Sequence, residues 1–282
     1  MLEKTVRNQI LDIVRQKPCS VQEIALAIQK NWRTADRYIE EIRQETGLIA
    51  VRTFREGSRG ALKVVYWNAL DRAKGSAYQE RLLHKILNGK HKEDFSPFDI
   101  FQFVDQDKRQ AFMETTEFST QEPIKYNSLL AQARQQILFF SGNLSWVELG
   151  PNVHKILDQQ AKQKVKLKIL TRVDITSRKN TQEMLLLNQR AGWDAVEIRH
   201  CEQPLRALIV DDTLVSIKEV LSPQHYRTHE LAEKTFLFYL IQDPEWINWM
   251  QKVFWQLWGQ SIDAQERLKV LDSISQVNSK KK

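Results

Sequence analysis

The chain has 282 residues, 42% hydrophobic and 27% charged, with a net charge of +7. That balance belongs to a soluble globular chain long enough for two domains. It excludes three classes. No run is long enough to span a membrane, the amphipathic start MLEKTVRNQILDIVRQ has no apolar signal-peptide core, and Cys19 and Cys201 are too few and too far apart for a disulfide framework or a thiolate metal site.

The charge is placed locally. Residues 1–70 hold 12 Lys and Arg against 8 Asp and Glu, Lys280-Lys281-Lys282 closes the chain, and the remainder is close to neutral. The first predicted helix runs from Leu2 to Arg15 with Val6, Ile10, Ile13 and Val14 inward, and Pro18 forbids its continuation. Ser20-Val21-Gln22-Glu23 reads as a capping box, followed by an apolar stripe of Val21, Ile24, Ala25 and Ile28. Asn31 breaks that pattern. A second helix turns Trp32, Ala35, Ile39 and Ile42 inward and leaves Arg33, Thr34 and Arg37, with Tyr38 beside them, on another face.

Two β-prone runs follow, Ile49 to Arg55 and Ala61 to Trp67, separated by Glu56-Gly57-Ser58-Arg59-Gly60, whose glycines suit a hairpin loop. The outline is a winged helix-turn-helix over residues 1–70. A helix laid in the major groove needs donors near its N-terminal end, which Arg33, Thr34 and Arg37 supply, and Arg52, Arg55, Arg59 and Lys63 on the wing suit flanking phosphates or a minor groove. The competing readings are a merely solvated surface and a winged helix that binds protein, toward which Glu40, Glu41 and Glu45 on the later turns point.

Residues 71–121 form a helical connector suited to dimerisation. Ala73 to Leu87 is helical in pattern with Gly89 at its end, and Ser96-Pro97 opens a second helix-like piece reaching Phe118. Phe95, Phe98, Phe101, Phe103, Phe112 and Phe118 are too many for a solvated linker, so they are expected to pack against a neighbouring domain or a second subunit.

Residues 122–262 alternate strand and helix, which makes the fold class α/β overall. Strands are predicted at 137–141, 165–170, 195–199, 205–210, 214–217 and 236–241, with helices at 147–162, 181–191 and 244–258. The last of these holds Trp246, Trp249, Trp255 and Trp258 and is apolar on more than one side, the mark of a helix buried between a sheet and something else. Residues 263–282 read as a C-terminal helix and basic tail.

Pro204-Leu205-Arg206-Ala207-Leu208-Ile209-Val210-Asp211 resembles the phospholipase D motif H-x-K-x-x-x-x-D. In that superfamily the histidine is the nucleophile and the lysine binds phosphate. Here Asp211 holds the aspartate position, Arg206 the lysine position and Pro204 the histidine position, so the nucleophile is missing, and His200 would have to reach across to replace it. The succession of winged helix, helical connector and degenerate phospholipase-D-like domain, closing on Phe254-Trp255-Gln256-Leu257-Trp258, resembles the TrmB-like family of archaeal transcription regulators. The resemblance implies a DNA-binding regulator whose second domain dimerises or senses a small-molecule effector, without catalysis.

The expected partners are double-stranded DNA, a second copy of the chain and an effector, with no membrane, in the cytoplasm on the nucleoid. No cofactor and no metal are expected: His225 and His229 share a helical spacing, with Glu230 or Glu233 as the only further ligands nearby, and an ordinary surface pair is the simpler reading. Walker, G-x-S-x-G and C-x-x-C motifs are absent from the sequence. The alternatives are an architectural DNA-coating protein without sequence preference, and a phosphodiesterase or nuclease with a rearranged site.

Overall fold

Ser20 and Glu23 satisfy each other at the start of a helix. The Glu23 amide donates to the Ser20 hydroxyl at 3.1 Å, and the Ser20 amide donates to a Glu23 carboxylate oxygen at 2.7 Å. This pair opens α2 (Val21–Ala27), after α1 (Lys4–Gln16) and the short strand β1 (Cys19–Ser20). Gln29 takes the left-handed conformation, φ 54°, which turns the chain without a glycine. Asn31 then caps α3 (Trp32–Thr46), its side-chain oxygen accepting the Thr34 N–H at 2.8 Å.

The computed structural model describes residues 3–46, 48–55, 61–67, 76–114, 126–146, 151–226, 230–231 and 233–279. The hairpin loop with Arg59, the side chain of Arg55, Phe118, the His225 side chain, His229 and the lysine tail lie outside what it describes.

β2 (Ile49–Arg55) and β3 (Ala61–Trp67) pair antiparallel, with β1 on the far side of β3. Strand periodicity gives this hairpin two unlike faces. Ile49, Val51, Val65 and Trp67 pack on the helices with Ile10, Ile24, Ala35, Ile39 and Ile42. On the other face, Phe54, Leu62, Val64 and Tyr66 join the core of the larger sheet. The hairpin is therefore a layer between two cores.

After α4 (Ser76–Asn88), the stretch expected to be helical departs from that expectation. It makes the single turn α5 (Phe98–Phe101) and then β4 (Arg109–Glu114), which pairs with a strand far along the chain. A polar turn at 105–108 ends the helical run, and Phe112 stacks on Phe238 with ring centroids 5.2 Å apart. Phe95, Phe98 and Phe101 are buried in the core of the same chain.

The remaining elements are α6 (Tyr126–Ala131), β5 (Gln136–Phe140), α7 (Pro151–Lys162), β6 (Lys166–Thr171), α8 (Arg178–Ala191), β7 (Val196–His200), β8 (Ala207–Val210), β9 (Leu214–Leu221), β10 (Thr235–Ile241), α9 (Pro244–Gln260), β11 (Ile262–Asp263) and α10 (Ala264–Ser279). Among the described residues their seven strands join β4 in an eight-stranded mixed sheet, in the order β11-β7-β6-β5-β8-β9-β10-β4, with β5, β6 and β7 parallel. Alternate side chains of β5 sort to the two faces: Ile137 and Phe139 meet α6, α7, α8 and α10, while Leu138 and Phe140 meet α4, α5 and α9. Asp243 caps α9 by accepting the amides of Glu245 and Trp246, and Trp246, Trp249 and Trp258 are buried while Trp255 is 42% exposed. No helix among the described residues is long and apolar enough to cross a membrane.

Candidate nucleic-acid interface and cationic cavity

The first turns of α3 put two cations in solvent. Arg33 and Arg37, one helical turn apart, are exposed, while Ala35, Ile39 and Ile42 on the opposite side are fully buried. Each guanidinium lies over the aromatic ring next to it in sequence, Arg33 at 5.8 Å from the Trp32 ring and Arg37 at 5.3 Å from Tyr38. Thr34 and Tyr38 are half-buried beside them. Among the described residues neither arginine is ion-paired, in contrast to Arg43, which meets Glu40 at 2.6 Å on a later turn.

Two of the expected wing cations lie on opposite faces of the hairpin, Lys63 ion-paired and Arg52 exposed. Lys63 faces the helices, because it pairs with Thr53 on the same side of the hairpin as Val51 and Val65, and its ammonium donates to both carboxylate oxygens of Asp36 on α3. It braces the hairpin against α3 instead of standing free for phosphate. Arg52 is one pleat out of phase with that face. Its guanidinium is 6.0 Å from the Phe101 ring, on the side turned to α5 and the large sheet.

The degenerate motif is distributed over separate tasks. Pro204 is buried against Gly89 at the end of α4, where a Cβ on Gly89 would come within 2.9 Å of the proline ring. Asp211, with φ 48°, turns β8 into β9, and its carboxylate accepts the amides of Arg134, Gln135 and Gln136 at 2.8 to 3.0 Å, fixing the start of β5. His200 does not reach across. Its Nδ1 accepts the Val173 amide at 2.9 Å, and burial together with Arg267 lowers its pKa.

Arg206, at the motif's lysine position, lines a cavity with Ala207 and Leu208. Its guanidinium donates to the carbonyls of Leu205 at 2.7 Å and Gln203 at 3.3 Å and lies against Gly142, where an added Cβ would be 2.6 Å from it. Glycine is what admits it there. Burial and the nearby Arg172 lower its pKa. The cavity, about 310 Å³, is lined by Arg172, Arg206, Lys92, Lys218 and Lys234, with Trp146 and Phe236 among its aromatic walls. No Asp, Glu or His among the described residues lines it.

Sequence reasoning found Arg206 but not the four cations around it. They come from the connector, the loop after β6, the middle of β9 and the approach to β10. The one local signal was Lys218, a charge on β9 following Leu214, Val215 and Ile217. Among the described residues, no group of three or more His, Cys, Asp or Glu is placed to hold a metal ion. Cys19 and Cys201 are both free, and burial pushes each thiol up to about 11.

No protein-family model matches the sequence, and no curated protein matches it. Solved structures do. A phospholipase D family member, Nuc from Salmonella typhimurium, is similar over 55% of this chain and 98% of its own, at 16% identity and a TM-score of 0.41. NucT from Helicobacter pylori is similar over 55% of this chain and 99% of its own, at 12% identity and a TM-score of 0.38. TrmBL2, described as an archaeal chromatin protein with a novel mode of DNA binding, is similar over 93% of this chain and 94% of its own, at 13% identity and a TM-score of 0.39.

Proposed function

We propose that this chain binds double-stranded DNA as a regulator, with residues 1–70 acting as a winged helix-turn-helix and α3 entering the major groove. The observation that supports this best is the exposed pair Arg33 and Arg37 on the first turns of a helix whose opposite side is buried. Arginine at that place grips guanine edges or phosphates in a two-pronged contact. The Lys63–Asp36 pair supports it further by fixing the angle between wing and helix. One such unit reads only a short site, so the working form is a homodimer. The connector at 71–121 and the phospholipase-D-like part at 122–262 serve dimerisation and effector sensing, and 263–282 completes the chain.

The same proposal makes the chain a non-enzyme. A phosphodiesterase of the phospholipase D kind needs a histidine at the position of Pro204, and His200, the nearest in sequence, is occupied by the Val173 amide. The test is enrichment sequencing of a random duplex library at physiological salt, with an ionic-strength titration. One enriched two-fold-symmetric motif is the expected result. Salt-sensitive binding without enrichment would replace the regulator with an architectural DNA-coating role, and absence of binding would sink the proposal.

A further inference from the structure

Another cavity lies where the hairpin, the connector and the large sheet meet. It measures about 460 Å³, within the roughly 300–1,000 Å³ typical of small-molecule sites, and Ser20, Glu23 and Val64 line it from the N-terminal unit while Ser96, Glu219 and Tyr239 line it from the rest of the chain. Glu219 is half-buried there. Its carboxylate accepts the Tyr239 hydroxyl at 2.9 Å and the Ser96 hydroxyl at 3.1 Å, which fills two of its about four acceptor positions.

The cations around this cavity are already engaged. Lys17 meets Glu23 at 3.6 Å, Lys85 meets Asp99 at 2.7 Å, Lys92 meets Glu93 at 3.7 Å, and Arg206 donates to the carbonyls of Leu205 and Gln203. Lys218 is next to Glu219 on β9 and so turns to the opposite face, with its ammonium 5.7 Å from the Phe236 ring. Asp94 is exposed and accepts the amides of Lys90 and His91. Glu219 has no cationic partner among the described residues, and the charged groups that act on it, Asp99 and Glu23, are acidic like itself. A sheltered carboxylate without a countercharge costs free energy, and a bound cation removes that cost.

The walls beside this carboxylate suit an organic cation. Phe98 and Tyr239 are buried with their ring centroids 6.1 Å apart, Tyr226 is close enough to feel the charge of Glu219, and Leu62 and Val64 close the space from the hairpin. Aromatic faces attract ammonium groups, and the three N–H donors of a primary ammonium match the open carboxylate positions. A bare metal ion is less well served, because no group of three or more His, Cys, Asp or Glu among the described residues is placed to hold one.

We infer that this cavity binds a small organic ammonium compound, a primary amine on a compact apolar or aromatic body, with its nitrogen on Glu219. Such a ligand touches the hairpin and the large sheet at once, and so clamps the N-terminal unit to the rest of the chain. Its regulatory meaning rests on the proposed DNA binding, but its binding test stands apart from DNA.

The test titrates the full chain with phenethylamine and hexylamine, and with neutral phenethyl alcohol and hexanol and anionic phenylacetate, by calorimetry and tryptophan fluorescence at physiological salt. One amine should bind about tenfold or more tighter than its neutral counterpart and than phenylacetate, and the better of the two tells whether a flat or a flexible body fills the space. Glu219→Gln keeps the size of the side chain and removes its charge. It should weaken amine binding by about tenfold or more while keeping the circular dichroism spectrum and the affinity for duplex DNA. Lys218→Gln, on the opposite face of β9, should not weaken it.

Equal binding of the neutral alcohol, tighter binding of phenylacetate, undiminished amine binding by Glu219→Gln, or no binding of any probe would overturn the inference. If the wild-type chain takes an amine but no duplex, the cavity assignment stands and the DNA reading falls.

Discussion

Lys63 on β3 donates to both carboxylate oxygens of Asp36 on α3, at 2.8 and 2.7 Å. The pair joins the hairpin to the helix that exposes Arg33 and Arg37, and it uses up a cation the surface would otherwise present. Asp36→Asn should therefore tighten duplex binding at low salt and steepen the dependence of log affinity on log salt by about one phosphate contact. The pair is partly exposed, so the stability loss should stay within about 1 kcal/mol. A salt slope equal to wild type would show that Asp36 does not withhold Lys63 from phosphate.

Arg33→Ala and Arg37→Ala should each weaken duplex binding by about 1–3 kcal/mol, whereas Arg52→Ala, on the face turned toward Phe101, should leave it nearly unchanged. Fluorescence anisotropy on one duplex at fixed salt ranks the three. The proposed docking of α3 is refuted if Arg52 proves the costliest.

Gly89→Ala should destabilise the fold by about 1–3 kcal/mol. Its Cβ would meet the Pro204 ring at 2.9 Å and the Lys85 carbonyl at 3.1 Å, neither of which is the far end of a flexible side chain. Urea unfolding followed by tryptophan fluorescence measures the change. Gly142→Ala makes the contrast, because its close contacts belong to the Arg206 guanidinium, which can swing away. The urea midpoint should move less there than in Gly89→Ala.

Glu219 gives the chain a pH dependence of definite sign. Its carboxylate accepts the Tyr239 hydroxyl at 2.9 Å and the Ser96 hydroxyl at 3.1 Å, and burial raises its pKa above the ordinary 4.5. A raised carboxyl keeps its proton in the folded chain after the unfolded chain has lost it. Its favourable contribution is full below the ordinary value and is lost as pH climbs through the folded one. Asp99 is raised in the same direction by burial, against the pull of Lys85. Glu219→Gln should raise the melting temperature at pH 7 and leave it unchanged near pH 4. Equal effects at the two pH values would remove Glu219 as the cause.

What was legible in the sequence was local. The capping box at Ser20 and Glu23 and the bounds of the hairpin, Ile49–Arg55 and Ala61–Trp67, follow from short-range hydrogen bonding and strand periodicity. β4 was missed because Arg109–Glu114 is held by its pairing with β10, more than a hundred residues away, and nothing within six mixed residues announces that partner. The side chosen by Arg52 was readable in principle. Phe54 and Leu62 are apolar on one face of the hairpin and Val51 and Val65 on the other, a pattern that signals burial on both sides. The cavity was beyond reach, since its cations share no element and only the folded sheet gathers them.

The hairpin that belongs to two cores has a consequence for how this protein can be taken apart. A fragment cut after Trp67 would carry Phe54, Leu62, Val64 and Tyr66 naked on one side, and the remainder would lose the cover over its own sheet. Neither piece is a self-sufficient cartridge. The N-terminal unit cannot be transplanted to another protein by cutting at its last strand, and chimeras made at that junction should aggregate unless those apolar side chains are replaced along with the cut.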